Sequence, residues 1–177
     1  MDLQIRRADK RDAATVALIG RVTFRETFGH LFENHAGDLR AYLDRTFNVA
    51  KIECSLLQAR NSYWLALVDG LPVGYAKLKY PSPALRLGAD LAAQLQKIYL
   101  LKEFAGQGIG DPLLETVLAH ASMLNPECVW LDVLKQNERA IRFYQKRGFV
   151  AAGDDNYTIG AQTFLFHLMV LREKTKA

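Results

Sequence analysis

Ala105-Gly106-Gln107-Gly108-Ile109-Gly110 stands between an apolar run at residues 95–101 and Leu113, Leu114, Val117, Leu118 and Ala121, which recur at helical spacing. Strand, glycine turn and helix therefore follow one another. Glycines let a backbone come close to a ligand, and the first amides of a helix have no intrahelical acceptor. With the helix dipole added, such a turn can hold a pyrophosphate without a cluster of lysines. Tight strand-to-helix packing alone would also use these glycines, and the spacing leaves both readings open. A Walker loop is excluded, because Asp111-Pro112 follows where a lysine and a hydroxyl residue belong. A dinucleotide-binding unit would carry its glycines after the first strand of a βαβ unit, so a nicotinamide enzyme is not expected.

Upstream, Leu3 and Ile5 alternate with polar neighbours as a short strand. Asp9 or Asp12 caps a helix bearing Val16, Ile19, Val22 and Phe24. Gly37-Asp38 opens a second helix with Leu39, Tyr42 and Leu43 on one face, and Asn48 caps a third with Ile52, Leu56 and Leu57. Residues 63–68 and 73–78 flank Asp69-Gly70, a dipeptide suited to a two-residue hairpin. Residues 81–93 read as one long turn-rich connection. Downstream, 128–133 is a strand, 137–147 a helix with Asn137 as cap and Gly148 at its end, and 149–152 and 163–171 are strands around an intervening loop. The whole is a mixed α+β fold in one domain, 1–177.

At 177 residues the chain is long enough to bury a core unaided by metals or disulfides. Cys54 and Cys128 are far apart and lack Cys-x-x-Cys spacing; burial of both in a reducing, cytoplasmic compartment is expected. His30, His35, His120 and His167 have no ligand spacing, so no metal is expected. The N-terminal residues lack a signal-peptide core, and no apolar run reaches the roughly 18 residues of a membrane helix. The net charge of +4 is dispersed, which points away from nucleic acid and leaves room for a small anionic ligand.

Trp130-Leu131-Asp132-Val133 leads into Asn137-Glu138-Arg139-Ala140-Ile141-Arg142-Phe143-Tyr144 and then Lys146-Arg147-Gly148-Phe149. This resembles the Asn-x-x-Ala-x-x-Phe-Tyr-x-x-x-Gly-Phe pattern of the GNAT superfamily of N-acetyltransferases. The glycine turn resembles the same family's Arg/Gln-x-x-Gly-x-Gly/Ala signature, with Gly108 and Gly110 in the small positions and Ala105 where Arg or Gln is usual. Together the motifs cover residues 95–150. Thr23-Phe24-Arg25-Glu26-Thr27-Phe28, Ala41-Tyr42-Leu43, Thr46-Phe47-Asn48 and Gln96-Lys97-Ile98-Tyr99-Leu100 further resemble the bacterial PaiA-like branch, which acetylates spermidine and spermine.

The resemblance implies a mixed, mostly antiparallel sheet of about seven strands flanked by four or five helices. It implies direct acetyl transfer from acetyl-CoA to a primary amine, a polyamine by the narrower likeness, and homodimers are common among such proteins. Main-chain groups of Ala105, Gly106, Gln107, Gly108, Ile109 and Gly110 would hold the pyrophosphate. Backbone groups of Ile98, Tyr99 and Leu100 on a splayed strand would meet the reacting end. Asn137, Ala140, Phe143 and Lys146 would line the cofactor, and Tyr144 would protonate the leaving thiolate, its alternative role being packing on an amphipathic helix. Phe24, Glu26, Phe28, Glu33, Tyr42 and Tyr75 would shape the acceptor site. No carboxylate base is evident on the strand, since Gln96 is an amide; Glu26 and Glu33 are candidates to attract a polyamine or relay its proton through water, and Asp111 puts negative charge beside an anion site. Another small amine, a protein amino group, or a noncatalytic acyl-CoA-binding module remain alternatives.

Overall fold

The alternation at Leu3 and Ile5 produces strand β1 (Leu3–Arg7), the first of the elements described over residues 1–172 of a computed structural model. Asp9 then caps a 3-10 turn, accepting from the Arg11 amide while Asp12 accepts from the Asp9 amide. That turn runs directly into α1 (Ala13–Phe28). Helix α2 (Ala36–Thr46) is followed by α3 (Val49–Leu56), whose first turn is capped by Asn48 accepting from the Lys51 amide. Strands β2 (Asn61–Val68) and β3 (Leu71–Lys79) form the hairpin, and both turn residues, Asp69 and Gly70, take positive φ as a two-residue turn demands.

Next come β4 (Ala93–Leu100), the glycine turn, α4 (Gly110–Met123), β5 (Val129–Leu134) and α5 (Glu138–Lys146). The chain closes with β6 (Val150–Ile159) and β7 (Gln162–Leu171). The seven strands lie in the order β1-β2-β3-β4-β5-β7-β6. Every neighbouring pair is antiparallel except β4 and β5. This is the expected α+β architecture with a mostly antiparallel sheet.

Both faces of the sheet are covered. Leu113, Leu114, Val117 and Ala121 of α4 and Tyr144 of α5 pack on Ala76, Leu95, Leu131 and Val133. On the opposite face Val16, Ala17 and Ile19 of α1 and Ile52 of α3 pack on Tyr63, Leu65 and Tyr75. A third cluster, Phe24, Phe32, Leu43, Phe47 and Ile159, joins α1 and α2 to the far hairpin.

Two expectations need correction. Residues 153–162 are no loop: β6 and β7 pair continuously out to Ile159 opposite Gln162. The polar run Asp154-Asp155-Asn156 hides this strand because nearly all of β6 is solvent-exposed, so no apolar alternation marks it. The connection at 81–92 is turn-rich as expected, tied by a bridge between Ala84 and Ala89 and by the Trp130 indole N–H donating to the Ser82 carbonyl at 2.9 Å. Cys54 is exposed, on the outward side of α3, while Cys128 is buried.

Gly74 on β3 faces Leu100, and a Cβ there would press on the Tyr99 carbonyl oxygen at 2.5 Å. Because that obstacle is backbone, it cannot yield by changing rotamer. Gly74→Ala is expected to destabilise the protein by about 1–3 kcal/mol, the usual cost of overpacking, read from urea unfolding. An unchanged unfolding midpoint would refute this close approach.

Candidate active site

Strand β4 pairs with β5 through only two positions, Ala93 opposite Val129 and Gln94 opposite Trp130. Beyond them the strands part. On its other edge β4 stays bonded to β3, and the Leu101 amide donates to the Val73 carbonyl at 2.9 Å. Alternation along an antiparallel ladder then directs the amides of Ile98 and Leu100 away from β3, into the opening, while Tyr99 keeps its main-chain groups in the ladder. Of the three β4 residues expected there, two present free amides to the opening.

A bulge sets which side chains accompany them. The register between β3 and β4 shifts between Lys77 and Leu78, leaving Gln96 unmatched, exposed and outside any reacting geometry. Because one extra residue reverses the alternation, Leu95 and Ile98 face the α4 core while Lys97 and Tyr99 face α1.

The glycine turn lies at the end of this strand. Gly106 and Gly108 have φ of 90° and 80°, which favour glycine, and α4 begins at Gly110. Ile109 is fully buried, so its contribution to a ligand is main-chain only. Gly110 abuts the Phe143 ring, where a Cβ would sit 3.4 Å away. Ala105 ends a 3-10 turn, and the Gln107 side chain donates to the Glu103 carbonyl at 2.6 Å.

Helix α5 forms the other wall. The Asn137 side chain accepts from the Ala140 amide at 3.1 Å, and Gly148 and Phe149 close the C-terminus by donating to Gln145 and Tyr144 carbonyls. Tyr144, buried between Phe143 and Phe149, has its phenol pushed well above its ordinary value by burial and is protonated at neutral pH. Burial also pushes up the Tyr99 phenol, and the Tyr42 and Tyr144 phenols add to it.

Asp111, Arg139, Arg142, Phe143, Lys146 and Arg147 line an open groove of about 500 Å³ between α4 and α5. The negative charge of Asp111 is answered by Arg147, whose Nε donates to it at 3.1 Å and whose Nη1 reaches Glu115 at 3.3 Å. Arg139 went unnoticed in the sequence because it fills a variable position of the motif. Its guanidinium lies 3.2 Å from where a Cβ on Gly106 would stand, over the glycine turn itself. The signal available was the cationic stripe of Arg139, Arg142 and Lys146 at helical spacing.

On the expected acceptor side Phe24 packs at a tilt against Phe28 and Tyr42, with centroids 4.8 and 4.7 Å apart, and Glu33 is exposed. Two expected acceptor residues stand elsewhere. Tyr75 is 1% exposed beneath α1, so it packs the core and its hydroxyl has no partner among the described residues. Glu26 is exposed but accepts from the Lys102 amide at 3.0 Å, tying α1 to the start of the glycine turn. The sequence also gave no hint of two lysines on this face. Lys97 lies 5.2 Å from the Phe47 ring and 5.3 Å from the Tyr99 ring, and burial pushes its ammonium down to about 8. Lys77, directly opposite it on β3, is pushed down to about 7 by burial first and then by Lys97.

Parallel strands that separate beside a helix start able to take phosphate make the scaffold of an acyl-CoA-dependent acetyltransferase. The sequence profile of the Acetyltransferase (GNAT) family matches residues 23–149, and the chain belongs to that family. An uncharacterised N-acetyltransferase of Lactobacillus delbrueckii subsp. lactis is 27% identical over 158 residues, covering 89% of this chain and 90% of the relative. One from Mycobacterium bovis is 34% identical over 132 residues, 75% and 80% of the two chains. Among solved structures, the PaiA N-acetyltransferase of Thermoplasma acidophilum in complex with coenzyme A superposes with a TM-score of 0.78 at 19% identity, covering 97% and 99%. YncA from Salmonella typhimurium with acetyl-CoA gives 0.72 at 19% identity, covering 99% and 96%.

Acetyl-CoA is thus the cosubstrate, and the chain fits it: unpaired β4 amides in the opening, α4 amides behind the glycine turn, and a cationic groove beyond. Arg139→Ala is expected to weaken acetyl-CoA binding about 10-fold, equivalent to about 1.4 kcal/mol, in calorimetric titration. Added salt should narrow the difference. Equal affinities at low salt would remove Arg139 from the site.

Proposed function

We propose that this chain acetylates a primary amine of a small cationic molecule of polyamine type, using Tyr144 as general acid, in a reducing compartment suited to its two free thiols. The observation that carries this reading is the gap between β4 and β5, with Ile98 and Leu100 amides directed into it, beside α5 and its protonated Tyr144.

Acetyl-CoA supplies an activated thioester. Around it each residue has one task. The glycine turn and α4 amides hold the diphosphate with Arg139 above it, and Lys146 adds positive charge along the groove. The Ile98 and Leu100 amides orient the pantetheine arm and stabilise negative charge on the carbonyl oxygen. Asn137, already a cap through its side-chain oxygen, keeps its amide N–H groups for the pantetheine. Tyr144 donates its proton to the departing sulfur, and burial keeps that proton in place until then.

A polyamine reading draws on the acidic and aromatic side of the acceptor face: Asp132 and Asp155, with Tyr157, Phe164 and Phe166, stand on the same face of the β5-β7-β6 sheet. Lys77 and Lys97 favour a second reading, an amine whose far end carries a carboxylate. A thiol-release assay over an amine panel separates them. Spermidine and spermine are expected to give higher kcat/KM than simple monoamines and amino acids; preference for amino acids establishes the second reading.

Tyr144→Phe is expected to lower kcat about 100-fold, within the range for losing one acid–base group, while acetyl-CoA affinity changes less than about threefold. Undiminished turnover under chemistry-limited conditions would exclude the acid role.

A further inference from the structure

Asp132 occupies β5 two residues past Trp130, where β4 has already departed. Its neighbours Leu131 and Val133 belong to the α4-side core, so its own side chain points to the opposite face, the one that carries Lys97 and Tyr99 on β4. There Leu168 stands opposite it on β7, followed by Phe166, and Asp155 and Tyr157 flank it from β6.

The hydrogen-bonding pattern on this face is uneven. Asp155 is satisfied: it accepts from Arg86 at 3.1 Å and from the Asn156 amide at 2.8 Å. Asp132 is not. Its Oδ2 accepts a long bond from the Tyr157 hydroxyl at 3.4 Å, and its Oδ1 is buried with no hydrogen-bond partner among the described residues. A buried carboxylate oxygen without a partner is rare in a finished core and calls for a role. At the rim of the acceptor opening, an ammonium group or its proton supplies the missing donor.

We propose that Asp132 is the general base of the transfer, its Oδ1 receiving the proton that the acceptor ammonium must shed before attack. This rests on the amine-acetylation reading above. The ammonium gives one proton to the Asp132 carboxylate, and the freed nitrogen pair forms the C–N bond to the acetyl carbon as the C–S bond breaks. The sulfur takes a proton from Tyr144, and the second proton the nitrogen loses on becoming an amide restores Tyr144. In sum one proton stays on the CoA thiol and one passes to solvent. Glu26 is held by the Lys102 amide and Gln96 is an amide, so neither competes for the task.

Burial first, then Asp155, pushes the Asp132 carboxyl up to about 6, against smaller opposing effects of Tyr157 and Arg86. Across the opening β4 contributes Lys97 and Tyr99 and α2 contributes Tyr42, while β7 contributes only Leu168 and Phe166 beside it. A base raised in this way is ionised above about pH 6 and still accepts protons efficiently near neutrality.

The decisive measurement is the pH profile of kcat/KM for the amine between pH 5 and 9 at saturating acetyl-CoA. Wild-type activity should fall on the acid side through about pH 6. Asp132→Asn should lose about 100-fold in kcat together with that acid limb, bind acetyl-CoA within about twofold of wild type by calorimetry, and recover in part as Asp132→Glu. Tyr157→Phe removes the one donor to the carboxylate and keeps the base, so its acid limb should move to higher pH. A folded Asp132→Asn protein that retains the wild-type limb overturns the assignment; if that variant does not fold, an unmoved limb in Tyr157→Phe does so. A wild-type protein that binds acetyl-CoA but releases no CoA with any amine overturns the transferase reading, and the assignment with it.

Discussion

Two residues of parallel pairing hold the halves of the sheet together, and the site exists because there are no more. If β4 and β5 continued side by side past Gln94 and Trp130, the Ile98 and Leu100 amides would be consumed by the ladder and no opening would exist between the α1 side of the sheet and the α4–α5 groove. A backbone donor left unpaired in a protein interior needs a partner. Here the fold leaves a pair of donors to a ligand. The close approach of Gly74 to Tyr99 and Leu100 keeps β4 on β3 while it leaves β5, so the parting is built from β3 outward.

The opening also divides the charge. On the α4–α5 side, Arg139, Arg142 and Lys146 face the groove, and Arg147 absorbs the acids Asp111 and Glu115 that would otherwise oppose an anion. On the acceptor side, Asp132 and Asp155 stand near one edge while Lys77 and Lys97 lie under α1 and α3. Lys77 and Lys97 stand directly opposite on neighbouring strands, and both lose basicity to burial first, with Lys97 adding to the effect on Lys77 and Lys51 to that on Lys97. Cross-strand stability does not explain such a like-charged pair.

Local signals made much of this legible in the sequence. The Asp69-Gly70 turn, the Asn48 and Asn137 caps, the Gly148 terminus and the glycine turn before α4 all act within a few residues, so the string records them. The β6 strand was not legible, since its pairing with β7 depends on a partner and its exposed residues need no apolar pattern. Lys97 and Tyr99 share the α1 face with Tyr75 only because the bulge at Gln96 reverses the alternation after Leu95. Burial of that kind follows from register, and a single inserted residue changes it. Asp132 could be read as part of a motif, but its unpartnered oxygen appears only once β4 has moved away.

Ala105 shows how the site tolerates a departure from the family's usual pattern. The long polar side chain expected at that position would reach into the turn from the strand side. Alanine cannot, yet the turn keeps its positive-φ glycines, and Arg139 approaches Gly106 from the helix side. A guanidinium brings a permanent charge and several donors in one plane, which suits phosphate oxygens better than the amide of glutamine. Because Arg139 follows the Asn137 cap by two residues, its position is fixed by the start of α5 rather than by the mobility of a loop. The same cap that begins the helix thus aims the cation, and Phe143, one turn later, closes on Gly110 to hold the α4 start beneath it. On the proposed reading, side-chain recognition of the anion shifts from the turn to the facing helix, with the main-chain amides unchanged.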